Sequence, residues 1–524
     1  MIIIKDIKLP VGYSQAELND AIFAKLGNRQ ASAVTVIKKS IDARKKPNIY
    51  YILSVAVCVQ DEFECLRENI NLSKYSPPIS LLKNLNIPNK KTDEKIIVIG
   101  SGPAGLFCAL TLVEAGLKPL IIERGSDIEK RVAEVENFNN TGRLNVNSNI
   151  QFGEGGAGAF SDGKLTTGTS NPLNAVVIGE FVHYGAPAEI ACNAKPHIGT
   201  DYLRVLIKNM RARIIEGGGE FWFDTCVKDF KFSNGQISEL VLSGKNEGVI
   251  SCNRAVLAIG HSSRDTFETL LSRGAIIEQK PFSIGVRIEH LQKNINIAQY
   301  GQANLCLPSA DYKLSCHLDN GRSVYTFCMC PAGEVVCAAS EENGVVTNGM
   351  SFFARKDTNA NSALLVNVTP NDFASDNKLA GMYFQQKYER LAYKISNSYR
   401  APLQKVGDFC QNKVSSSFGN VKPSIKSGTV FADLRACLPS FAIESLKEGL
   451  KVFDRKLNGF SSADNLLIGV ETRSSSPIRI LRDNSFQSNL KGIYPCGEGS
   501  GYSGGITSSA VDGILVALSI INDL

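Results

Sequence analysis

Hydrophobic and polar residues alternate strongly near the start of the chain. Segments 2–8 and 50–59 have the period of two that is typical of strands, and apolar residues within 15–26 recur at helical spacing. A polar stretch containing several prolines then covers residues 76–94. Such a composition is typical of a linker. The pattern predicts a small α+β domain of ferredoxin-like type over residues 1–75, followed by a linker over 76–94.

A different pattern begins at residue 95, where an apolar strand leads into a glycine-rich turn, a helix and a second apolar strand that ends at Glu123. The turn reads GxGxxG. Gly100 permits the tight turn, Gly102 lets the backbone approach a pyrophosphate, and Gly105 lets the helix pack closely on the sheet. The helix N-terminus offers free N–H donors to phosphates, and Glu123 is placed to accept hydrogen bonds from ribose hydroxyls. The whole run predicted to bind a dinucleotide is Gly100, Ser101, Gly102, Pro103, Ala104, Gly105 and Glu123.

A second glycine-rich segment lies near the C-terminus and precedes a final apolar helix over 506–520. Gly497 and Glu498 form a turn suited to a phosphate or ribityl chain, and Gly504-Gly505 open the helix. The N-terminus of such a helix stabilises negative charge on a reduced flavin. The alternative is a glycine-rich loop before an ordinary helix. A plain NAD dehydrogenase has no use for this second site, so the sequence predicts FAD, bound here by Gly497, Glu498, Gly504, Gly505, Ile506 and Thr507.

Composition restricts the function further. With 524 residues, two or three domains are expected, and 43% hydrophobic and 21% charged residues are typical of a globular enzyme. The net charge of +6 is spread thinly, which argues against nucleic acid as a partner. The apolar runs have the length of strands and predict no membrane span. The 14 cysteines are scattered, without CxxC or zinc-type spacing, so we expect reduced thiols in a soluble cytoplasmic protein with no metal site.

The chain resembles the two-dinucleotide-binding-fold flavoproteins, and among them the family of predicted FAD-dependent dehydrogenases. The resemblance covers essentially the whole chain. Besides the two glycine segments it rests on FGEGGAGAFSDGKL at 152–165, KPHIGTD at 195–201, AIGHS at 258–262, GVRIEH at 285–290, FCMCP at 327–331 and VETRSSSP at 470–477. Glu498 stands where many flavoproteins have Asp. The resemblance implies a Rossmann-like α/β FAD-binding domain over 95–280 and 465–524, with an inserted α+β domain over 281–464.

The resemblance also implies further cofactor contacts. The glycine-rich loop 153–163 would approach the ribityl chain and the flavin ring, Val227 would present its backbone to the adenine, and Gly260 would lie against the cofactor. Arginines after the second strand would reach the pyrophosphate or adenine side, although solvated loop charges are the alternative for them. The residues added in this way are Arg124, Arg131, Gly156, Gly158, Ser161, Lys164, Val227 and Gly260.

Catalytic candidates lie in or beside the insertion, where this fold usually builds the roof over the substrate. Arg473 is suited to clamping a substrate carboxylate, with a structural arginine as the equal alternative. Cys328 and Cys330 would lie on the same face of a strand, with Met329 between them. They would be either a thiol pair near a ligand or two small core residues, and we favour the core interpretation. A disulfide between them would be strained in an extended strand, so no dithiol centre is expected.

The sequence therefore predicts an FAD-dependent oxidoreductase that transfers a hydride between an organic substrate and flavin N5. No second GxGxxG lies on a strand–helix unit, so NAD(P)H would bind only transiently. Two alternatives remain open. Some relatives of this fold act on tRNA, which would make the N-terminal domain an adaptor, and a non-catalytic FAD-binding scaffold has the same motifs.

Overall fold

The structure is a computed structural model that describes residues 1–68, 72–301 and 306–524. The N-terminal unit consists of β1 (Ile2–Pro10), α1 (Gln15–Lys25), β2 (Ala33–Asp42), β3 (Tyr50–Cys58), α2 (Glu62–Glu68) and β4 (Ser73–Lys74). Its antiparallel strands lie in the order β2-β3-β1-β4, which is the order of a ferredoxin-like fold. Ser14 begins α1 with a reciprocal capping box to Glu17, which satisfies backbone donors at the helix start.

The described elements from residue 96 onwards form a five-stranded sheet, a seven-stranded sheet, a three-stranded sheet and two two-stranded sheets, together with their helices. The first segment contains β5 (Ile96–Ile99), α3 (Pro103–Glu114), β6 (Leu120–Ile122), α4 (Ile128–Thr141), α5 (Leu173–His183), α6 (Gly199–Glu216), β7 (Glu220–Trp222), β8 (Thr225–Ser233), β9 (Gln236–Gly244), β10 (Gly248–Ser251), β11 (Arg254–Leu257), α7 (Arg264–Ser272) and β12 (Ile277–Gln279). The second contains β13 (Phe282–Leu291), α8 (Gln292–Tyr300), β14 (Ser315–His317), β15 (Ser323–Cys330), β16 (Glu334–Cys337), β17 (Thr347–Met350), β18 (Asn359–Val368), α9 (Ala380–Ser396), β19 (Ala401–Lys405), α10 (Val406–Cys410), β20 (Thr429–Phe431), α11 (Ser440–Lys456) and β21 (Leu466–Glu471). The chain ends with β22 (Ile478–Ile480), β23 (Ile493–Pro495) and α12 (Ile506–Asp523).

A five-stranded parallel sheet has the order β23-β11-β5-β6-β7. Its central strands are apolar on both faces because both faces are covered, one by helices such as α3 and α12 and the other by the small sheet β8–β10 and α7. β5 is central, so the glycine turn after it lies at the carboxyl edge where the chain order reverses. Ligands of open α/β sheets bind at that edge. The predicted Rossmann-like α/β fold class is therefore confirmed.

The insertion is built around a seven-stranded sheet of order β14-β15-β18-β13-β21-β19-β20. Its central strand, β13, pairs along its whole length with β18 and on its other side with β21. β21 spans residues 466–471, which the sequence analysis assigns to the FAD-binding domain. The boundary at 464 is therefore too early, because this strand completes the inserted sheet before the chain returns to the parallel sheet.

Two segments, α12 and the predicted linker, differ from their predictions. α12 is long and apolar enough to cross a membrane by length and composition alone, although the apolar runs predict no such span. Most of α12 is buried against α3, where a Cβ on Gly513 would overlap the carbonyl oxygen of Ala104. The predicted linker also carries a packed residue, since Leu82 is buried and its N–H donates to Glu180 Oε1 at 2.6 Å.

Candidate active site

A cavity of about 350 Å³ lies between the carboxyl edge of the parallel sheet and the seven-stranded sheet. Its floor is made by the turn between β5 and α3, by Glu123 and by the loop around Gly156. The start of α12 forms one end, and side chains of β15, β17 and β21 form the roof. The predicted residues that line it are Gly100, Gly102, Pro103, Ala104, Glu123, Arg124, Gly156, Gly158, Ser161, Lys164, Val227, Gly260, Gly497, Glu498, Gly504, Gly505, Ile506, Cys328 and Arg473.

The three fingerprint glycines have different surroundings. Gly100 has φ +100°, and a Cβ on it would overlap the carbonyl oxygen of Ala258. A Cβ on Gly105 would overlap the carbonyl oxygen of Gly100, so Gly105 is the glycine that lets α3 pack closely. A Cβ on Gly102 would meet no protein atom closer than Gly156 Cα at 3.8 Å. The space in front of Gly102, at the N-terminus of α3, is therefore left for a ligand, and a pyrophosphate fits it.

Glu123 holds the floor together as well as lining the cavity. Its Oε2 accepts hydrogen bonds from the N–H and hydroxyl of Ser101 at 2.9 and 2.8 Å. Its Oε1 accepts from the N–H groups of Gly125 and Gly153, both at 3.0 Å. Ser101 itself does not line the cavity, so the structure assigns it to fixing this carboxylate.

Arg131 does not reach the cavity, contrary to the prediction that it binds the pyrophosphate or adenine side. It is fully buried, and its guanidinium donates to five backbone carbonyls. These belong to Asn149, Ile150, Gly153, Glu154 and Gly156, at distances from 2.6 to 3.2 Å. Because this loop has little regular secondary structure, its carbonyls need such a donor, and Arg131 holds the glycine-rich loop in place.

At the opposite end, the first turn of α12 faces the cavity through Gly504, Gly505 and Ile506. Thr507 does not line the cavity, and its hydroxyl donates to the Leu165 carbonyl at 2.8 Å. The prediction that the Thr507 side chain contacts the cofactor is therefore wrong. The helix start still presents N–H donors and a positive dipole to a ligand.

Two titratable residues that line the cavity, Glu498 and His261, lie close together. Burial raises the pKa of Glu498 to about 7, although Lys280 partly offsets the effect. His261 Nε2 lies 3.9 Å from Glu498 Oε1. Burial and the charge of Arg473 lower the pKa of His261 to about 4, so its imidazole is neutral at pH 7. Glu498 is therefore able to hold or release a proton near neutrality.

Arg473 has no free face for a substrate carboxylate. Its Nε and Nη2 bind both oxygens of the buried Glu389 at 3.0 and 2.7 Å, and its Nη1 donates to Ser262 and Ser340. Arg264 binds the same carboxylate from the other side at 2.8 Å. The predicted carboxylate clamp is wrong. Arg473 is a structural arginine that ties β21 to α9.

The cysteine pair also differs from the prediction. Phe327 pairs with Ala363 but Cys330 pairs with Asn361, so β15 contains one extra residue between them. This bulge removes the regular alternation on which the core interpretation depends. Cys330 is buried as expected and does not line the cavity, whereas Cys328 is partly exposed and does.

Several cavity residues were not singled out from the sequence. They are Gln151, Phe152, His261, Ser262, Asn348, Glu471 and Ser474. The motifs at 258–262 and 470–477 contain some of them, so a signal was present without an assigned role. Glu471 is the ion-pair partner of Arg287. Arg287 is fully buried, and its Nη1 donates to both oxygens of Glu471 at 3.0 Å. Burial nevertheless raises the pKa of Glu471 to about 7.

Comparisons with known proteins agree with this geometry. Residues 95–132 match the model of an FAD binding domain, residues 281–474 match that of the FAD-dependent protein C-terminal domain-like family, and residues 1–58 match a domain of unknown function. An uncharacterized protein of Clostridium beijerinckii is 46% identical over 507 residues, covering 95% of this chain and 93% of that protein.

Solved structures show a more distant likeness. Quinol fumarate reductase FrdA of E. coli is 11% identical, with a TM-score of 0.37 and coverage of 82% of this chain and 70% of that chain. Glycine oxidase of Bacillus cereus is 11% identical, with a TM-score of 0.33 and coverage of 82% and 98%. The chain belongs to the family of FAD-dependent proteins that it shares with the Clostridium relative, and its cofactor is FAD, as the sequence predicts.

Proposed function

We propose that this FAD-dependent oxidoreductase transfers a hydride between a small organic substrate and flavin N5. The observation that carries the proposal is that one cavity joins the dinucleotide-binding floor to a roof of titratable side chains. FAD supplies a two-electron acceptor when it is bound. The chain itself must then bind the substrate, exclude water and handle a proton.

The roof supports water exclusion. Glu389, Arg264 and Arg473 are buried, and both arginines bind the Glu389 carboxylate through paired hydrogen bonds at 2.7–3.0 Å. A buried polar cluster with this many paired hydrogen bonds is rigid. A rigid roof keeps solvent from the reacting atoms, which protects reduced flavin from side reactions.

Glu498 is the group best suited to proton handling. It lines the cavity, and its pKa of about 7 leaves it partly protonated at neutral pH. A general acid or base is most effective when its pKa lies near the working pH. The donors at Gly504 and Gly505 favour negative charge nearby.

We place the substrate beneath the inserted sheet and assign any pyridine nucleotide a transient role. All fourteen cysteines are free thiols, which supports a reducing compartment such as the cytoplasm. The +6 net charge over 524 residues supports a small molecule over nucleic acid as the partner.

An anaerobic titration of the purified holoprotein with NADH, NADPH and a library of metabolites, followed at the flavin absorbance, tests this function. We expect an organic donor to bleach the flavin in the wild type. Glu498→Gln should retain FAD but slow this reduction by about 10²-fold or more. Glu278→Gln, an exposed glutamate on β12, is the matched control and should behave as wild type. A protein that binds FAD but that no donor reduces would favour the non-catalytic scaffold.

A further inference from the structure

The bulge in β15 brings two thiols together at the roof of the cavity. Cys328 has a left-handed backbone conformation, with φ +43°. The Cys330 thiol donates a hydrogen bond to the Cys328 carbonyl oxygen at 3.4 Å. In a regular strand, residues two apart stand further from each other. The bulge therefore removes the extended geometry in which a disulfide between these cysteines would be strained.

The two cysteines differ in their access to the cavity. Cys328 is partly exposed and lines it, whereas Cys330 is fully buried. Behind them, Arg287 Nη2 donates to the Cys328 carbonyl at 2.6 Å and lies 3.5 Å from Cys330 Sγ. Space for this guanidinium exists because residue 349 is glycine, where a Cβ would overlap Nη2. An accessible sulfur backed by a buried one is the arrangement in which one cysteine meets a reaction partner and the other closes a disulfide.

Charge distinguishes Cys328 from the two other thiols that line the cavity, Cys226 and Cys496. The interaction with the Cys330 side chain and the positive charges of Lys164 and Arg287 outweigh burial and lower the pKa of Cys328 well below its usual range. Burial raises the pKa of the Cys226 and Cys496 thiols, so those two cysteines stay protonated. The nucleophilic form of cysteine is the thiolate. Cys328 is thus the cavity thiol that is equipped to react.

We propose that Cys328 and Cys330 form a redox-active dithiol that passes two electrons to the bound FAD. The proposal rests on the FAD site and oxidoreductase function proposed above. In this step an S–S bond forms between the Cys328 thiolate and the Cys330 sulfur, and the S–H bond of Cys330 breaks. Two electrons and that proton pass to FAD, so one thiolate, one thiol and FAD yield one disulfide and one reduced flavin anion.

The step also defines a substrate class. A small organic dithiol entering the cavity would attack the disulfide at Cys328, the accessible sulfur, and leave as its own disulfide after exchange. Both protein sulfurs return to the reduced form, and the two electrons have moved from the substrate to the flavin. The substrate is thus a dithiol, for which dithiothreitol serves as the probe.

Counting the electrons that the holoprotein accepts tests the proposal. Protein oxidised with diamide and freed of reagent is titrated anaerobically with dithionite while the flavin absorbance is followed. We expect the wild type to accept about four electrons per FAD, because the flavin and the disulfide each take two. Cys328→Ser and Cys330→Ser should each accept about two. Cys316→Ser, in the neighbouring strand β14, is the matched control and should accept about four.

Peptide mapping identifies the sulfurs. In the oxidised wild type, the tryptic peptide 323–355 should lack two hydrogens and resist alkylation at Cys328 and Cys330 but not at Cys337. Should Cys330→Ser not fold, Cys330→Ala replaces it. A yellow wild type that accepts only two electrons, or a disulfide at other cysteines, would overturn the dithiol. A colourless wild type would instead overturn the FAD site itself, so the two failures are distinguishable.

Discussion

The floor and the roof of the cavity are built by different means. The floor is mostly backbone, in which Gly100, Gly102 and Gly105 leave room for close approach and helix N–H groups face the ligand space. The roof is built from side chains of β15, β17 and β21, and Arg473 just after β21 is held by Glu389, 84 residues earlier in the chain. The difference shows that a cofactor common to many proteins is bound by a local backbone motif, whereas the substrate side depends on partners that only the tertiary fold brings together.

The largest effect is expected within the floor. Gly105→Ala should give little folded or yellow protein, because its Cβ would overlap the carbonyl oxygen of Gly100 inside the β5–α3 unit. Flavin content and circular dichroism of the purified protein measure this. Gly102→Ala is the control. It should fold but lose FAD, because its Cβ meets only ligand space, and equal loss of fold in both variants would contradict the distinction.

Arg473→Ala should weaken the roof while leaving the floor motif intact. We expect the free energy of unfolding to fall by about 3–5 kcal/mol, because Glu389 and Ser340 lose a buried donor. Urea denaturation followed by fluorescence measures the loss. Arg435→Ala, which breaks an exposed ion pair with Asp433, should leave the midpoint unchanged. If Arg473→Ala had the same midpoint as the wild type, Arg473 would not be held by Glu389, and the prediction that it clamps a substrate carboxylate would stand.

A smaller effect should distinguish two buried acids, Glu154 and Glu389, by how their contributions to the free energy of unfolding depend on pH. In the floor, burial raises the pKa of Glu154 to about 7, although Arg211 partly offsets it. The folded state therefore binds its proton more tightly than the unfolded state, and stability falls as pH rises from about 4.5 to 7. In the roof, burial is outweighed by Arg264 and Arg473, which hold the pKa of Glu389 well below its usual range. The stability that the Glu389 carboxylate contributes is instead lost as pH falls below the pKa that a glutamate has in the unfolded chain.

Glu154→Gln should consequently flatten the fall in unfolding free energy between pH 5 and 7, by about 2–3 kcal/mol. Urea titrations of the wild type and variant across this range measure the slope. Glu278→Gln, which changes an exposed glutamate on β12, is the control and should keep the wild-type slope. An unchanged slope in Glu154→Gln would mean that the carboxylate is ionised in the folded protein at pH 5.

The sequence predicts features encoded within a few residues better than features made by distant pairing. The role of the glycines in 100–105 could be predicted because each of them is required by a local backbone conformation or a local contact. Arg131 was misassigned because its acceptors are carbonyls 18–25 residues away, in a loop whose path no periodicity describes. The face of Cys328 could not be predicted, because a single extra residue in a strand reverses the alternation beyond it.

The boundary of the insertion was misplaced for a related reason. β21 is an apolar strand that suits either sheet by composition. Its partner, β13, lies about 180 residues earlier in the chain, where Arg287 pairs with Ile468. The charge of Arg287 is matched by Glu471 across the same pair of strands. Neither pairing leaves a signal in a single sequence.

The most direct test of the central claim is the identity of the flavin released from freshly purified protein by heat. The account predicts that the supernatant contains FAD, at about one molecule per chain, because the cavity joins a pyrophosphate-binding turn to a helix start suited to the flavin. Release of FMN, or of no flavin at all, would contradict the account.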